Sequence, residues 1–381
     1  MIYDSNALPA MLAAAGRAGA SDVHLTANHP PLMRVKGDLA TIPGFSDPTG
    51  TNWLDGTVGG LMTNEQIAEF RESGEVDLSY TVPGVARFRV NVFRQLGDVA
   101  VALRFIPDKA FSLEKLGVPA VARDLVLKPR GLVLVTGPTG SGKSTTLTAM
   151  LDIVNRTLPA HIVTVEDPVE FQHTSRMSLI HQREIGSDTK SFAEALRRVL
   201  RQDPDVILIG ELRDPESIST ALSAAETGHL VLSTLHTQSA AKSINRIVDA
   251  FPPDQQTQVR TQLGDTLQGI ISQTLLPMAH SDGRVIATEV LINTPAIANL
   301  IREGQVSQIY SMMQAGGSLG MHTLDQDLRR LVENGSLSMS LAKSYATDPA
   351  SFDEVRVRPR DLDADAWAFH MPEAASSEWG R

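Results

Sequence analysis

A chain of 381 residues, 42% of them hydrophobic, is long enough to bury the cores of two domains. Its 34 Lys and Arg against 44 Asp and Glu leave a formal charge of −10, so the overall balance offers no attraction to phosphate backbones or anionic lipid. The absence of Cys excludes disulfides, a thiolate zinc site and a Cys nucleophile; no run of about 18 apolar residues exists and the start carries an acid where a secretory signal is positive, so a cytoplasmic location is expected.

In chain order, Leu8, Met11 and Leu12 predict an opening helix, and Val23 and Met33 mark short strands. From Val76 the period is two: Val76, Leu78, Tyr80 and Val82, a Pro83-Gly84 turn, then Phe88, Val90 and Val92. A Gly97-Asp98 turn and Val99, Val101, Leu103 and Phe105 continue it. Residues 1–107 therefore read as a small α+β domain of antiparallel strands. The alternation puts Arg87, Arg89 and Arg104 opposite the apolar side chains, where an arginine is by default a solvated charge. Pro107, Pro119 and Pro129 punctuate the stretch 108–125, which reads as a linker.

Beyond Arg130, short apolar strands at 132–136, 161–165, 205–209 and 230–234 alternate with amphipathic helices. That is the pattern of an α/β domain, a parallel sheet covered on both faces. Phe192, Leu196, Val199 and Leu200 share one helix face, and Asp214-Pro215 opens another helix as N-cap and first residue. Val259, Leu263, Leu267, Ile270 and Ile271 predict a further helix, followed by a hairpin from Leu275 through Asp282-Gly283 to Val290. Smaller helices around Ile297, Leu324 and Leu337 complete a second domain over 126–352. From Asp353 the sequence mixes charge, small residues and proline without periodicity, so 353–381 reads as a disordered tail, with Trp367, Phe369 and Trp379 as a candidate docking peptide.

Residues 137–144 read GPTGSGKS, a full phosphate-binding loop set between the strand Leu132, Val133, Leu134, Val135 and a helix carrying Leu147, Met150, Leu151 and Val154. Gly137, Gly140 and Gly142 let backbone N–H groups converge on phosphates at the positive end of that helix. The cradle predicted from the sequence is Gly137, Pro138, Thr139, Gly140, Ser141, Gly142, Lys143, Ser144 and Thr145, with Lys143 reaching the β and γ phosphates of ATP and Ser144 offering its hydroxyl to Mg2+.

Ligands of such sheets lie beyond the carboxyl ends of the strands. Glu166 and Asp167 follow one strand, Gly210 and Glu211 another, His236 follows the last and His229 precedes it, so two carboxylates and two imidazoles are expected around one triphosphate. The segment at 206–211 resembles a Walker B strand with glycine in place of its usual aspartate. Glu211 is then the candidate to orient or deprotonate the attacking water, and Glu166 the candidate to help Ser144 hold magnesium, directly or through water. His229 and His236 stand seven residues apart across a strand, which excludes a helical i, i+4 metal pair.

The segments SDVHL at 21–25, ARFRVNVF at 86–93, the phosphate loop, EDPVEF at 166–171, DPDVILIGELRD at 203–214, AAETGHLVLSTLHT at 224–237 and SLGMHTLDQDL at 318–328 together resemble the type IV pilus retraction ATPases, within the wider family of secretion and pilus motor ATPases. The resemblance implies a PAS-like N-terminal domain, a RecA-like ATPase domain and a homohexameric ring at the inner-membrane platform protein of a pilus, with a second motor ATPase as a further implied partner. It implies catalytic roles for Glu166, Glu211, His229 and His236, and matches Arg89 and Arg104 to arginines presented to the γ-phosphate. Retraction is favoured over extension or secretion because the chain begins almost at SDVHL and lacks the four-Cys zinc element of those motors, although Ala298 stands where the family segment AIRNLIRE has arginine. A nucleic-acid motor is disfavoured by the negative charge and by the lack of a basic, aromatic strand surface, and a scaffold without turnover by the intact Lys143 and Glu211.

Overall fold

The computed structural model describes residues 3–355 apart from Ser5, Lys36, Asp108, Lys109 and Asp282. The tail from residue 356 onward, with Trp367, Phe369 and Trp379, and Asp282 of the expected hairpin turn lie outside the described residues.

Two compact units divide the described chain: one takes in the residues up to 107 with Glu170–Gln172, the other Ala110–Val169 and the described residues from His173 on. The first is built on a six-stranded antiparallel sheet of β1 (Asp22–Thr26), β2 (Leu32–Val35), β3 (Asp38–Thr41), β4 (Glu75–Val82), β5 (Ala86–Gln95) and β6 (Asp98–Ile106), ordered β3-β2-β1-β6-β5-β4. Helices Ala7–Arg17, Thr51–Leu61 and Asn64–Ser73 cover it. Phe88, Val90, Val92, Val101 and Leu103 are buried with Met11, Leu12, Val23 and Leu54, while Arg89 and Arg104 are exposed, as the period-two pattern requires. The last two covering helices do not show in the sequence pattern: TNWLDGTVGGL carries three glycines and only three buried side chains, so its helical signal is weak.

The second unit holds a seven-stranded sheet of β7 (Gly131–Thr136), β8 (His161–Glu166), β9 (Leu179–Glu184), β10 (Val206–Ile209), β11 (Leu230–Leu235), β12 (Leu267–Pro277) and β13 (Arg284–Ile292), in the order β13-β12-β7-β11-β10-β8-β9. All pairs are parallel except β12 with β13, an antiparallel hairpin at the edge. Both faces are covered, so strand residues alternate between two apolar layers rather than between core and water. Leu132, Leu134, Val163, Val165, Ile207 and Ile209 pack under helices that include Phe192–Val199, Pro215–Glu226 and Ala240–Asp249. Val133, Val135, Ile162, Leu208 and Leu232 pack under helix Lys143–Thr157.

Two readings of the sequence need correction here. Residues 113–126 are not a bare linker: helices Leu113–Leu116 and Val121–Val126 bury Leu113, Val118, Ala122, Leu125 and Val126 in the same layer as Val133 and Leu147. Pro119 stands ahead of the second helix, where proline does not break it. The helix expected through Ile271 ends at Thr266, and Leu267, Ile270 and Ile271 begin β12. A short apolar run buried on both sides has the same pattern in either state; a register shift between Leu267 and Gly269 marks the change from one to the other.

Helices Leu324–Glu333 and Met339–Tyr345 cap the hairpin end in a separate cluster of Leu276, Ala287, Leu328, Leu331, Leu337 and Phe352. Phe352 is fully buried there. Phe352→Ala should cost roughly 3–5 kcal/mol, the usual range for emptying a buried phenyl site, and lower the urea midpoint of the second unit's transition. An unchanged midpoint would show that the chain stops contributing to the core before this residue.

Candidate nucleotide site

Gly137, at the carboxyl end of β7, turns the chain with φ +144. A Cβ there would lie 2.3 Å from the Gln273 carbonyl oxygen of β12 and 2.6 Å from Ser141 Oγ, so only glycine lets the loop pass this close to the neighbouring strand. Gly142, with φ +88, is the N-cap of helix Lys143–Thr157, and that helix has no side-chain cap. Its first-turn N–H groups, at Lys143, Ser144 and Thr145, have no intrahelical carbonyl to meet and face outward at the positive end of the helix dipole. Lys143 is buried and donates from Nζ to the carbonyls of Gly137 (2.9 Å) and Pro138 (3.0 Å), which holds a cation at the mouth of the cradle. Thr139, Gly140 and Ser144 are exposed on its rim, and Ser141 Oγ is buried without a hydrogen-bond partner. A backbone cradle, a cation and a helix end without a cap are what a polyphosphate needs.

Strand order fixes what stands beside the loop. β11 adjoins β7, with Leu235 level with Thr136, so His236 emerges next to Gly137. β10 follows β11 and β8 follows β10, which places Glu211 and Glu166 at strand ends on the order of 10 and 14 Å across the sheet from β7. Glu211 forms an ion pair with Arg213, and its second oxygen lies 3.1 Å from His236 Nε2. Burial, then the charges of Lys143 and Arg213, hold the His236 imidazole below its ordinary value, so it is neutral near pH 7. Because a carboxylate oxygen accepts, Nε2 must carry the proton, and His236 donates to Glu211. Glu166 lies on the helix Lys143–Thr157 side of β8, where Thr164 Oγ1 (2.6 Å) and Gln182 Nε2 (3.2 Å) both donate to its Oε1.

The expected gathering of two imidazoles does not occur within one chain. His229 precedes β11, its carbonyl accepts from Gly131 N at the start of β7, and its Nδ1 lies 3.0 Å from Ala224 O. Six strand residues separate it from His236, about 20 Å along the sheet. A strand delivers its two flanking residues to opposite ends, and only the carboxyl end carries the loop. Arg89 and Arg104 belong to the other unit, directly opposite each other on β5 and β6 and both exposed. Arg104 Nε donates to Asp22 Oδ1 at 2.8 Å. Burial alone would raise the Asp22 carboxyl, but hydrogen bonds from Arg104 and Ser21 hold it below its ordinary value.

The sequence pattern left out a supporting group. Gln273 of β12 is buried, donates from Nε2 to Thr146 Oγ1 (2.7 Å) behind the loop, and has its Oε1 without a partner, while Ser272 Oγ lies 2.8 Å from Thr136 Oγ1. Two polar residues interrupting the apolar IISQTLL run were the available signal. Among the described residues no cluster of three or more His, Asp or Glu side chains could hold a metal by itself. Ser144 at the helix head and Glu166 suit a magnesium ion bound mainly through nucleotide phosphates and water, the usual way a protein holds it.

The protein-family model described as "Type II/IV secretion system protein" matches residues 6–352. The chain is 51% identical over 342 residues to the type IV pilus retraction ATPase PilT of Pseudomonas aeruginosa, covering 90% of this chain and 98% of that one. It is 49% identical to a twitching motility protein of Neisseria gonorrhoeae over 84% of this chain and 85% of its relative. A crystal structure of the pilus retraction motor PilT with bound ADP superimposes with a TM-score of 0.82 at 46% identity, over 91% of this chain and 98% of the other.

Gly137→Ala should abolish nucleotide binding in a fluorescent-ADP titration, because the loop must leave the β12 carbonyl; near-normal affinity would disprove the close approach as its cause. A second expectation concerns pH. His173, whose backbone N–H donates to Gln182 Oε1 behind Glu166, has its imidazole pushed by burial from 6.5 down to about 4. The folded chain then keeps this imidazole neutral while the unfolded chain protonates it below 6.5. Stability is therefore full above about 6.5 and falls, by up to about 3 kcal/mol, as pH drops towards 4. His173→Gln should flatten the decline in melting temperature between pH 7.5 and 5; an identical decline in both proteins would refute it.

Proposed function

Because the chain belongs to the type II/IV secretion system protein family, we propose that it is an ATP-hydrolysing motor for type IV pilus retraction, working as a homohexamer in the cytoplasm against an inner-membrane platform protein. The observation that carries the reading is the pairing of the phosphate loop with Glu211 and His236 at the same sheet edge. Supporting it are the PilT relative at 51% identity and the superposition on a PilT structure holding ADP. Among the described residues no helix is long and apolar enough to cross a membrane, which accords with peripheral attachment through partners.

Placement supports the following roles. Backbone N–H groups of residues 140–145 and the Lys143 ammonium bind the β and γ phosphates and balance the charge that develops as the terminal bond breaks. Ser144, and Glu166 through water, would hold a magnesium ion, which would neutralise charge on the phosphates. Glu211 orients the attacking water and accepts its proton. His236, neutral and donating to Glu211, fixes the direction of that carboxylate, and Arg213 forms an ion pair with its other oxygen. Arg89 and Arg104 present two cations side by side to a γ-phosphate, and His229, remote from its own chain's loop, serves the ring rather than its own site. A second motor ATPase is a further partner under this reading. Ala298, where the family segment has arginine, is buried, and its carbonyl would lie 3.0 Å from a Cβ at Gly264, so helix Pro295–Arg302 seats closely on helix Pro253–Thr266 at this point.

Lys143→Ala and Glu211→Ala should each reduce phosphate release from the purified protein by at least 100-fold, with Glu211→Ala still binding ADP. Turnover persisting in both would remove the catalytic assignment. In cells, deletion of the gene should leave excess surface pili and no twitching; a loss of pili instead would assign the motor to assembly.

A further inference from the structure

The second unit carries a cavity of about 750 Å³ away from the phosphate loop, between residues 113–123, the β12–β13 hairpin and helix Leu324–Glu333. That size holds a pair of aromatic side chains with room to spare. Its floor is apolar: Val118, Ile286 and Leu331 are buried there and Val121 is half-buried. Its rim is cationic. Lys115, Arg123, Arg284 and Arg330 are all exposed, against two carboxylates, Glu114 and Asp327. Asp327 is already engaged, by Arg330 Nε at 2.7 Å and by the N–H and hydroxyl of Thr288 at 2.8 and 3.0 Å. An occupant of this cavity should therefore be apolar in its body and negative at its edge.

The same chain carries such a segment. Residues 361–373 read DLDADAWAFHMPE, with Asp361, Asp363, Asp365 and Glu373, the aromatics Trp367 and Phe369, and no Lys or Arg. The described chain leads to the right place: Val355 packs on the cluster that contains Leu331, and Arg329 Nη2 donates to Ser351 O at 2.7 Å, so the chain leaves beside the helix that lines the cavity. Eleven residues lie between Val355 and Trp367, a reach of up to about 40 Å when extended. We propose that residues 361–373 dock in this cavity of their own chain, with Trp367 and Phe369 on the apolar floor and the three aspartates against Arg123, Arg284 and Arg330. The aromatic rings supply burial and the rim supplies orientation, because exposed charge pairs contribute little energy each but reject the reverse register.

The absence of Cys makes a direct test possible in the full-length chain. Asn334→Cys, on the cavity wall, combined with Ala368→Cys, between the two aromatics, should form a disulfide within one chain under mild oxidation, read as a monomer of altered mobility on a non-reducing gel. The yield should exceed by at least fivefold that of Ala368→Cys with Thr257→Cys on the exposed face of helix Pro253–Thr266, and should fall at least threefold with Trp367→Ala, with Arg123→Glu and Arg284→Glu together, or in 1 M salt. A yield no greater than the control, or one indifferent to these changes, overturns the proposal. A covalent dimer in place of the monomer also overturns it, by giving the cavity to a neighbouring copy.

Discussion

The site depends on how closely the phosphate loop can approach the strand beside it. β7 ends at Thr136, and the next residue must reverse within 2.3 Å, measured to where a Cβ would stand, of the Gln273 carbonyl. That approach brings the loop under β12 and lets Gln273 brace Thr146 from behind. It also sets the first-turn N–H groups, which have no intrahelical carbonyl to meet, at the mouth of the cradle. Any side chain at position 137 would push the loop away from β12 and misplace every donor that follows.

A parallel sheet then does the remaining positioning. Adjacent strands deliver their carboxyl ends about 4.8 Å apart along one edge, so the residue just past each strand is placed by strand order alone. His236, Glu211 and Glu166 are spread from the loop in that sequence because β11, β10 and β8 are. Local hydrogen bonds set the finer geometry: His236 and Arg213 on Glu211, Thr164 and Gln182 on Glu166. The electrostatics are consistent with this arrangement, since the cation that awaits phosphate is also one of the charges that keep His236 neutral.

The loop, the strand ends and the period-two arginines were all legible in the sequence because each depends on short-range pattern: a glycine spacing, an apolar run followed by an acid, an alternation. What was not legible depends on long-range pairing. Leu267, Ile270 and Ile271 look alike as helix or buried strand until β7 is known to lie beside them. β9, with its mixture of His181, Gln182, Arg183 and Glu184, carries no strand signal, yet it supplies the amide that holds Glu166. Helices within 113–126 are too short to show a period, and their apolar residues reveal themselves only by burial against Val133 and Leu147. The misplacement of His229 was avoidable, since a residue ahead of a strand belongs to the opposite edge from one behind it.

The side-by-side arrangement of Arg89 and Arg104 has a thermodynamic meaning of its own. Two guanidinium groups directly across an antiparallel pair repel, and Asp22, which Ser21 also hydrogen-bonds, pairs with Arg104 of the two. The β5–β6 pairing is therefore held together by its backbone ladder and the apolar side chains beneath it against a tension on its outer face that Asp22 relieves only in part. A multivalent anion settling over both cations would release that tension, so that the strands which recognise the anion become more rigid by doing so.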